Sequence, residues 1–486
     1  MGLNMINNDF FIGRHSELSE LQELLDRRTT SLVVVKGRRR IGKSRLIDEF
    51  GKDHDYYAFS GLLPTKKTTA QTQRDEFMRQ FCEQTGFPEV TTNDWGKIFH
   101  LLGEKVKTGR HVVLLDEISW MGSKDSDFPG KLKIAWDLYF KKNPNLILIL
   151  CSSISAWIEE NILGSAGFLG RPTLILQLNE LPLHDSNTFW GAYTDSTSNY
   201  EKLKMLSITG GVPRYLELMN PKFSAEENIQ KLLFTPNSIL LKEYDYIFTD
   251  IFGKKGKIYE SIIQRLVEGS CDQAEIARAI GKTLTGDISH YLEVLCEAGF
   301  LCRDYTWLLP TGQISKLSKY RLKDNYIRFY LKYVLPNKAK IEKGIFKTQS
   351  LTSLPSWKSI LGLQFENLVL NNADTIKQLL GLKNDSIIFD NPFFQRKTQI
   401  QAGCQIDYLI QTRFNTIYIF EIKFSQNPVD SSVIEAIQEK IARLHLPKNM
   451  SYRTVLIHVN GVTESVKESG FFYKIIDFGM LLNSTN

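Results

Sequence analysis

Short, wholly apolar runs alternate along this chain with amphipathic stretches of helical period. Leu32–Val35 runs into a loop bounded by Gly37 and Gly42, after which Leu46, Ile47 and Phe50 recur at helical spacing. His111–Leu115 (HVVLL) and Leu146–Cys151 (LILILC) repeat the apolar run. Such runs predict strands of an open parallel sheet, buried on both faces and separated by helices. Ahead of them, Leu18, Leu21, Leu24 and Leu25 form a helical stripe for which Ser16 is a plausible N-cap. Further on, Lys257–Val267, Ser270–Ile280 and Leu284–Ala298 predict three amphipathic helices, followed by a hairpin in FLCRDYTWLLP. Gly362–Leu379 predicts one more helix. Gln405–Gln411 and Thr416–Phe424 alternate as two strands around a tight RFN turn.

Length adds that these elements cannot share one core. At 486 residues the chain calls for several domains. The expected divisions are a parallel-sheet α/β core over 1–198, a helical segment over 199–254 and a winged helix-turn-helix over 255–315. A connector rich in basic and aromatic residues follows over 316–350, then an α/β domain over 351–486. The net charge of +6 permits a nucleic-acid partner without requiring one. Six scattered cysteines without a C-x-x-C pair argue for reduced thiols. No apolar run approaches the ~18 residues of a membrane span, and the first residues lack the features of a signal peptide. The expectation is a cytoplasmic protein.

The chemistry starts at Gly37–Ser44, GRRRIGKS, which fits G-x-x-x-x-G-K-S between a strand and a helix. Gly37 and Gly42 let the backbone turn successive N–H groups onto phosphate oxygens, and the following helix aims its positive end at the same anion. Lys43 adds a charge near the β- and γ-phosphates, and the Ser44 hydroxyl suits Mg²⁺. The whole run of Gly37, Arg38, Arg39, Arg40, Ile41, Gly42, Lys43 and Ser44, with Arg45 behind it, is assigned to ATP. The three arginines exceed what phosphate binding needs and also serve to solvate the loop. Asp116 and Glu117 end the second strand, expected beside that of Lys43. Asp116 is assigned to Mg²⁺ and Glu117 to the attacking water as general base. Ser152 and Ser153 end the third strand, where a hydroxyl can sense the γ-phosphate or cap a helix, as Ser155 also could. Arg14, beside Gly13, is either a surface arginine or a contact to the base or ribose.

FIGRHSEL, GRRRIGKSRL, VVLLDEISWM, the serine-ended strand, FLGRPTLILQLNELPL and GGVPRYLELM follow one another over roughly the first 220 residues. In this order they resemble the archaeal-type P-loop ATPase family, within the STAND/AAA-like division of NTPases. The resemblance implies an ATPase core with a helical lid and nucleotide contact by Arg14. It also implies a sensor at Ser152 or Ser153, a γ-phosphate arginine at Arg171 and a lid sensor at Arg214. Either arginine would act within its own subunit or on a neighbour in a homo-oligomer. The winged helix would turn Lys282, Thr283, Thr285, Asp287, Ser289 and His290 outward, toward DNA or a protein partner. The lysines of LPNKAKIEKG would be available to phosphate.

In the C-terminal strands, a three-residue turn sets Asp407 opposite Glu421, with Lys423 on the face of Glu421. Two facing acids need a positive charge between them. Asp407 and Glu421 are therefore assigned to Mg²⁺, with Glu366 from the preceding helix completing the shell and Lys423 orienting a water. An acid followed by Glu-x-Lys on a hairpin resembles the PD-(D/E)xK nuclease fold, which implies a polar helix residue at Gln438. The combined expectation is an α/β multidomain, Mg²⁺-dependent ATPase, acting on DNA, whose ATP state controls a metal-dependent nuclease-like domain. The alternative is a STAND-type regulatory ATPase whose winged helix and C-terminal domain bind nucleic acid or protein without cleavage.

Overall fold

The apolar runs assemble side by side. In the computed structural model, β1 (Ser31–Lys36), β2 (Asp55–Ser60), β3 (His111–Asp116), β4 (Leu146–Ser152) and β5 (Leu174–Gln177) form one sheet in the order β2-β3-β4-β1-β5, with all neighbours parallel. The structure describes residues 11–153, 155–252, 256–284, 286–346, 350–399, 402–444 and 446–483, without the side chains of 155 and 248–252. Thr285 and the side chain of Ser155 thus lie outside the described residues. The two faces of the sheet explain the unbroken apolar runs. Val34, Val113, Leu115, Leu148 and Leu150 pack against Phe77, Trp95, Phe99 and Phe128 on one side. Val33, Val35, Val112, Ile147 and Ile149 pack against Leu21, Leu46, Ile47 and Phe50 on the other. Alternate residues of the same strands therefore feed two separate cores.

Two expectations change here. The strand of Asp116 is not the neighbour of the strand of Lys43, because β4 lies between β1 and β3. The first helix, His15–Glu23, is preceded by Arg14 in the left-handed conformation (φ 61°), so Ser16 lies inside the helix and does not cap it.

The chain divides into two compact units. The first comprises residues up to Leu181 with Val212–Arg214 and Ile247–Gly253, and the second comprises Pro182–Gly211, Tyr215–Tyr246 and Lys254–Asn486. In the second unit, helices Gly256–Arg265, Gln273–Ala279 and Gly286–Glu297 precede the antiparallel hairpin of β6 (Leu301–Leu308) and β7 (Gln313–Leu322). The hairpin is anchored rather than projecting. Trp307 and Leu309 are buried with Phe393, Ile406, Leu409 and Ile419. Trp307 Nε1 donates to Gln411 Oε1 at 2.6 Å, and Gln411 Nε2 donates to the Leu309 carbonyl at 2.9 Å.

The basic and aromatic segment is packed structure, as the helical spacing of its aromatics implies. Tyr326, Phe329, Tyr330 and Tyr333 are buried, as is Arg328, whose guanidinium donates to the carbonyls of Leu266, Val267 and Leu322. Lys332 pairs with Glu268 and Lys338 with Asp245. Apolar burial turned the aromatic residues inward, and Arg328, Lys332 and Lys338 found partners within the chain.

The C-terminal sheet is mixed, in the order β12-β11-β10-β9-β8. Its strands are β8 (Ile387–Gln395), β9 (Cys404–Thr412), β10 (Thr416–Ile422), β11 (Ser451–His458) and β12 (Lys474–Asp477). The expected single helix before it is two, Trp357–Asn371 and Ala373–Leu379, broken at Asn372. No helix among the described residues is long and apolar enough to cross a membrane.

Candidate functional site

The loop after β1 is shaped by its two glycines. Gly37 has φ +152°, and a Cβ there would stand 2.6 Å from the Leu178 carbonyl oxygen, so a side chain is sterically refused. Gly42 (φ +91°) then starts the helix Lys43–Gly51, whose free N–H groups face the loop. Ile41 between them is fully buried and anchors the loop. Lys43 is buried, and its Nζ donates to the carbonyls of Gly37 and Arg38 at 3.0 and 3.1 Å and to Ser153 Oγ at 3.2 Å. Ser44 Oγ donates to Asp116 Oδ2 at 2.8 Å. A hydroxyl in contact with a carboxylate is a hard oxygen donor set that fits Mg²⁺.

The insertion of β4 between β1 and β3 decides what its two serines do. Ser153 stands between the two acid-and-base arms of the site: it receives Lys43, its backbone N–H donates to Glu117 Oε2 at 3.0 Å, and its hydroxyl donates to Glu117 Oε1. Glu117 itself adopts a left-handed conformation (φ 48°) that turns it back toward β4. Ser152 is fully buried and points to Ser119, 2.8 Å away. Of the two serines, Ser153 is the one that joins Lys43 to Glu117.

The arginines divide by position. Arg14 Nη2 donates to the carbonyls of Ile41 and Asn179, so it clamps loop backbone. Arg38 is buried in an ion pair with Glu180 at 3.3 Å, which corrects the expectation that it solvates the loop. Arg39 and Arg40 are half-buried and Arg45 is exposed. Arg214 is exposed and follows Pro213, whose ring lies 3.7 Å from the Cβ position of Gly42. Arg171 falls elsewhere. It precedes β5, whose Leu174 aligns with Val33 near the start of β1, and it pairs with Asp137 at 3.2 Å. It therefore lies toward the amino end of these strands, whereas Lys43 follows their carboxyl end, and the γ-phosphate role within its own chain is corrected.

In the second unit, a bulge sets the acidic pair. The β8–β9 ladder pairs Asn391 with Leu409 and then Phe393 with Ile406, so Asp407 and Tyr408 together oppose Pro392. Proline supplies no N–H, which suits the defect, and the bulge re-aims Asp407. The β9–β10 ladder ends at Tyr408–Phe420. At the next position Asp407 Oδ2 accepts the Ile422 N–H at 3.1 Å, in place of a backbone carbonyl. Glu421 is buried, and Lys423 Nζ lies 2.8 Å from its Oε1.

Gln438 on the helix Ser432–Arg443 is exposed, whereas Lys440 Nζ donates to Glu421 Oε2 at 2.6 Å and to Asp407 Oδ1 at 3.3 Å. Lys440 was missed in the sequence. The signal was its spacing three residues after the buried Ile437, which puts it on the inward face. Burial and the charge of Glu421 push the Asp407 carboxyl up. Burial opposes a charged Lys440, but Asp407 and Glu421 outweigh it and raise the pKa of the ammonium. Glu366 is raised to about 7, by burial first and by Asp407 second. Asp407 and Glu421 fit a hard divalent cation by their donor chemistry. Glu366 does not join them: among the described residues no group of three His, Cys, Asp or Glu side chains is placed to hold a metal ion. That corrects the expected three-acid shell.

Residues 11–219 match a family model described as an ATPase domain predominantly from Archaea. An uncharacterized protein of Methanocaldococcus jannaschii is 26% identical over 362 residues, covering 74% of this chain and 76% of that protein. Among solved structures, the Walker-type ATPase of Pyrococcus abyssi aligns with 66% of this chain and 96% of its own, at 15% identity and a TM-score of 0.48. The ORC2 protein of Aeropyrum pernix, solved in ADPNP–ADP complexes, aligns with 70% and 97%, at 15% identity and a TM-score of 0.41. Residues 11–219 are thus similar to ATPase domains found predominantly in Archaea, and they carry a glycine-shaped loop at the carboxyl end of a parallel sheet, the architecture of a P-loop NTPase core.

Proposed function

We propose that this protein is a Mg²⁺-dependent ATP hydrolase acting on DNA, in which the ATP state governs a metal-dependent, nuclease-like C-terminal domain. The observation that carries the reading is the pairing of two phosphate-chemistry sites in one chain: Lys43, Ser44, Asp116 and Glu117 in the first unit, and Asp407, Glu421 and Lys423 in the second. In the first site, loop N–H groups and Lys43 hold the phosphates, Ser44 and Asp116 hold the cation, and Glu117 takes a proton from the attacking water. Ser153 keeps Glu117 and Lys43 in one hydrogen-bonded chain, which makes it the γ-phosphate sensor in this reading. When bound, Mg²⁺ supplies neutralisation of phosphate charge. Arg214 is the lid sensor. Arg171, at the amino end of the strands, serves the site of a second copy.

At the second site the two carboxylates hold the cation and Lys423 orients a water toward a phosphodiester. The three helices and the hairpin β6–β7 read as a winged helix-turn-helix. Lys282, Thr283, Asp287 and His290 are exposed there for DNA, while Ser289 is engaged by Gln273 at 2.7 Å. A route for control lies in the covalent arrangement: Val212–Arg214 belongs to the ATPase unit, while the residues on either side belong to the unit that carries the acids.

A second reading, a regulatory ATPase that binds nucleic acid or protein without cutting it, is favoured by one observation. A lysine, not a third acid, completes the acidic pair. Labelled DNA incubated with wild type, K43A and D407N, with and without ATP and Mg²⁺, separates the two. Cleavage lost in D407N and altered by K43A supports the first. DNA retained without cleavage in every condition supports the second.

A further inference from the structure

Glu421 has both oxygens claimed by lysines, and the two lysines are not equivalent. Lys423 Nζ meets Oε1 alone, from a half-buried position just past the end of β10. Lys440 Nζ meets Oε2 and also reaches Asp407, whose other oxygen is taken by the Ile422 N–H. Among the described residues, Lys440 is therefore the cation whose ion pairs reach both acids. It is delivered from a separate element: the helix Ser432–Arg443 buries Val433 and Ile437, and Lys440 continues that face. The helix is tied in register with β9, since Cys404 Sγ donates to the Lys440 carbonyl at 3.3 Å. An ammonium bridging two carboxylates stands where a divalent cation bridging the same pair would stand. Two positive charges cannot share that position at contact distance without strong repulsion. The lysine head sits on a flexible four-carbon stem and can withdraw, whereas the carboxylates are held by the sheet.

We propose that Lys440 is the resident counter-cation of the acidic pair and competes with the divalent metal, so that metal binds only as the Lys440 ammonium leaves. The proposal rests on the reading of Asp407 and Glu421 as metal ligands. It assigns opposite roles to the two lysines: Lys423 belongs to the loaded site and Lys440 to the metal-free one. It also explains how two buried acids are tolerated between metal-binding events, since an unpaired buried carboxylate pair would strain the fold.

The test is Mn²⁺ titration calorimetry on the full chain, paired with melting curves in EDTA and in excess Mn²⁺. Wild type, K440M, K440Q and K423M are compared. D407N identifies the heat that belongs to this pair and not to the nucleotide site. The expected result is that K440M binds Mn²⁺ roughly tenfold tighter than wild type. It should also melt lower in EDTA and recover with Mn²⁺, while the wild-type melting point responds less to the metal. K440Q, whose amide keeps a hydrogen bond, serves the same comparison if K440M does not fold. Equal or weaker Mn²⁺ affinity in the Lys440 variants overturns the competition. If wild type and both Lys440 variants lack any D407N-sensitive binding, the acidic pair is not a metal site, and the reading beneath the proposal falls with it.

Discussion

Ser153 offers Glu117 two donors at once, its backbone N–H at 3.0 Å and its hydroxyl, while the same hydroxyl receives Lys43. The proposed general base is thus held by the strand that separates it from the phosphate loop. E117Q is expected to lower the turnover of ATP about 100-fold with ATP affinity little changed. S153A is expected to lower it about tenfold, and S152A less, because Ser152 faces Ser119. Phosphate release and nucleotide binding measured on the same preparations check the order. Equal losses in S152A and S153A would sink the assignment of Ser153.

Arg171 lies at the end of the strands opposite to Lys43 and is paired with Asp137. R171A is expected to leave ATP affinity unchanged and to abolish any rise of specific ATPase activity with protein concentration. Activity measured across a dilution series, with light scattering for mass, tests this. A loss of activity in R171A that is the same at every concentration would argue for a role within one chain.

Arg328 closes three backbone carbonyls inside the second unit. Burial and the neighbouring charge of Arg321 pull its pKa down to about 10, so it stays charged at neutral pH. Replacing it by methionine leaves those carbonyls without their donor, and R328M is expected to cost about 3 kcal/mol in urea denaturation. DNA affinity per folded molecule should not change, which separates a core arginine from a phosphate contact.

Glu366 titrates at about 7 in the fold, against an ordinary 4.5. Between those values the folded chain holds a proton that the unfolded chain has released. Stability is therefore expected to fall as pH rises through that window, the sign opposite to that of an ion-paired carboxylate. E366Q removes the penalty: it should match wild type near pH 5 and melt higher at pH 8. Parallel melting curves for the two proteins across that range would refute the assignment.

The ATPase half was largely legible because its signals are local. A phosphate loop is defined by residues adjacent in sequence, and a strand buried on both faces shows itself as an unbroken apolar run. Strand order is not local: nothing in LILILC says that it inserts between β1 and β3, yet that insertion selects Ser153 over Ser152. In the acidic centre, Asp407, Glu421 and Lys423 stood out because hairpin alternation brings them together. Lys440 did not, because a lysine on an amphipathic helix has the same pattern whether it meets solvent or a buried acid.

By itself the sequence determined the loop Gly37–Ser44, the acidic strand end at Asp116 and Glu117, the helix periods and the Asp407–Glu421 hairpin. Each follows from the spacing of neighbours along the chain. Only the tertiary structure decided that Arg38 turns inward to Glu180, that Arg171 lies far from the phosphate loop and that Arg328 is buried with the aromatics around it. It also decided that a lysine from a distant helix joins the acidic pair. The physical reason is common to all four. The position of a long charged side chain is set by which buried partner can satisfy it, and that partner is distant in sequence.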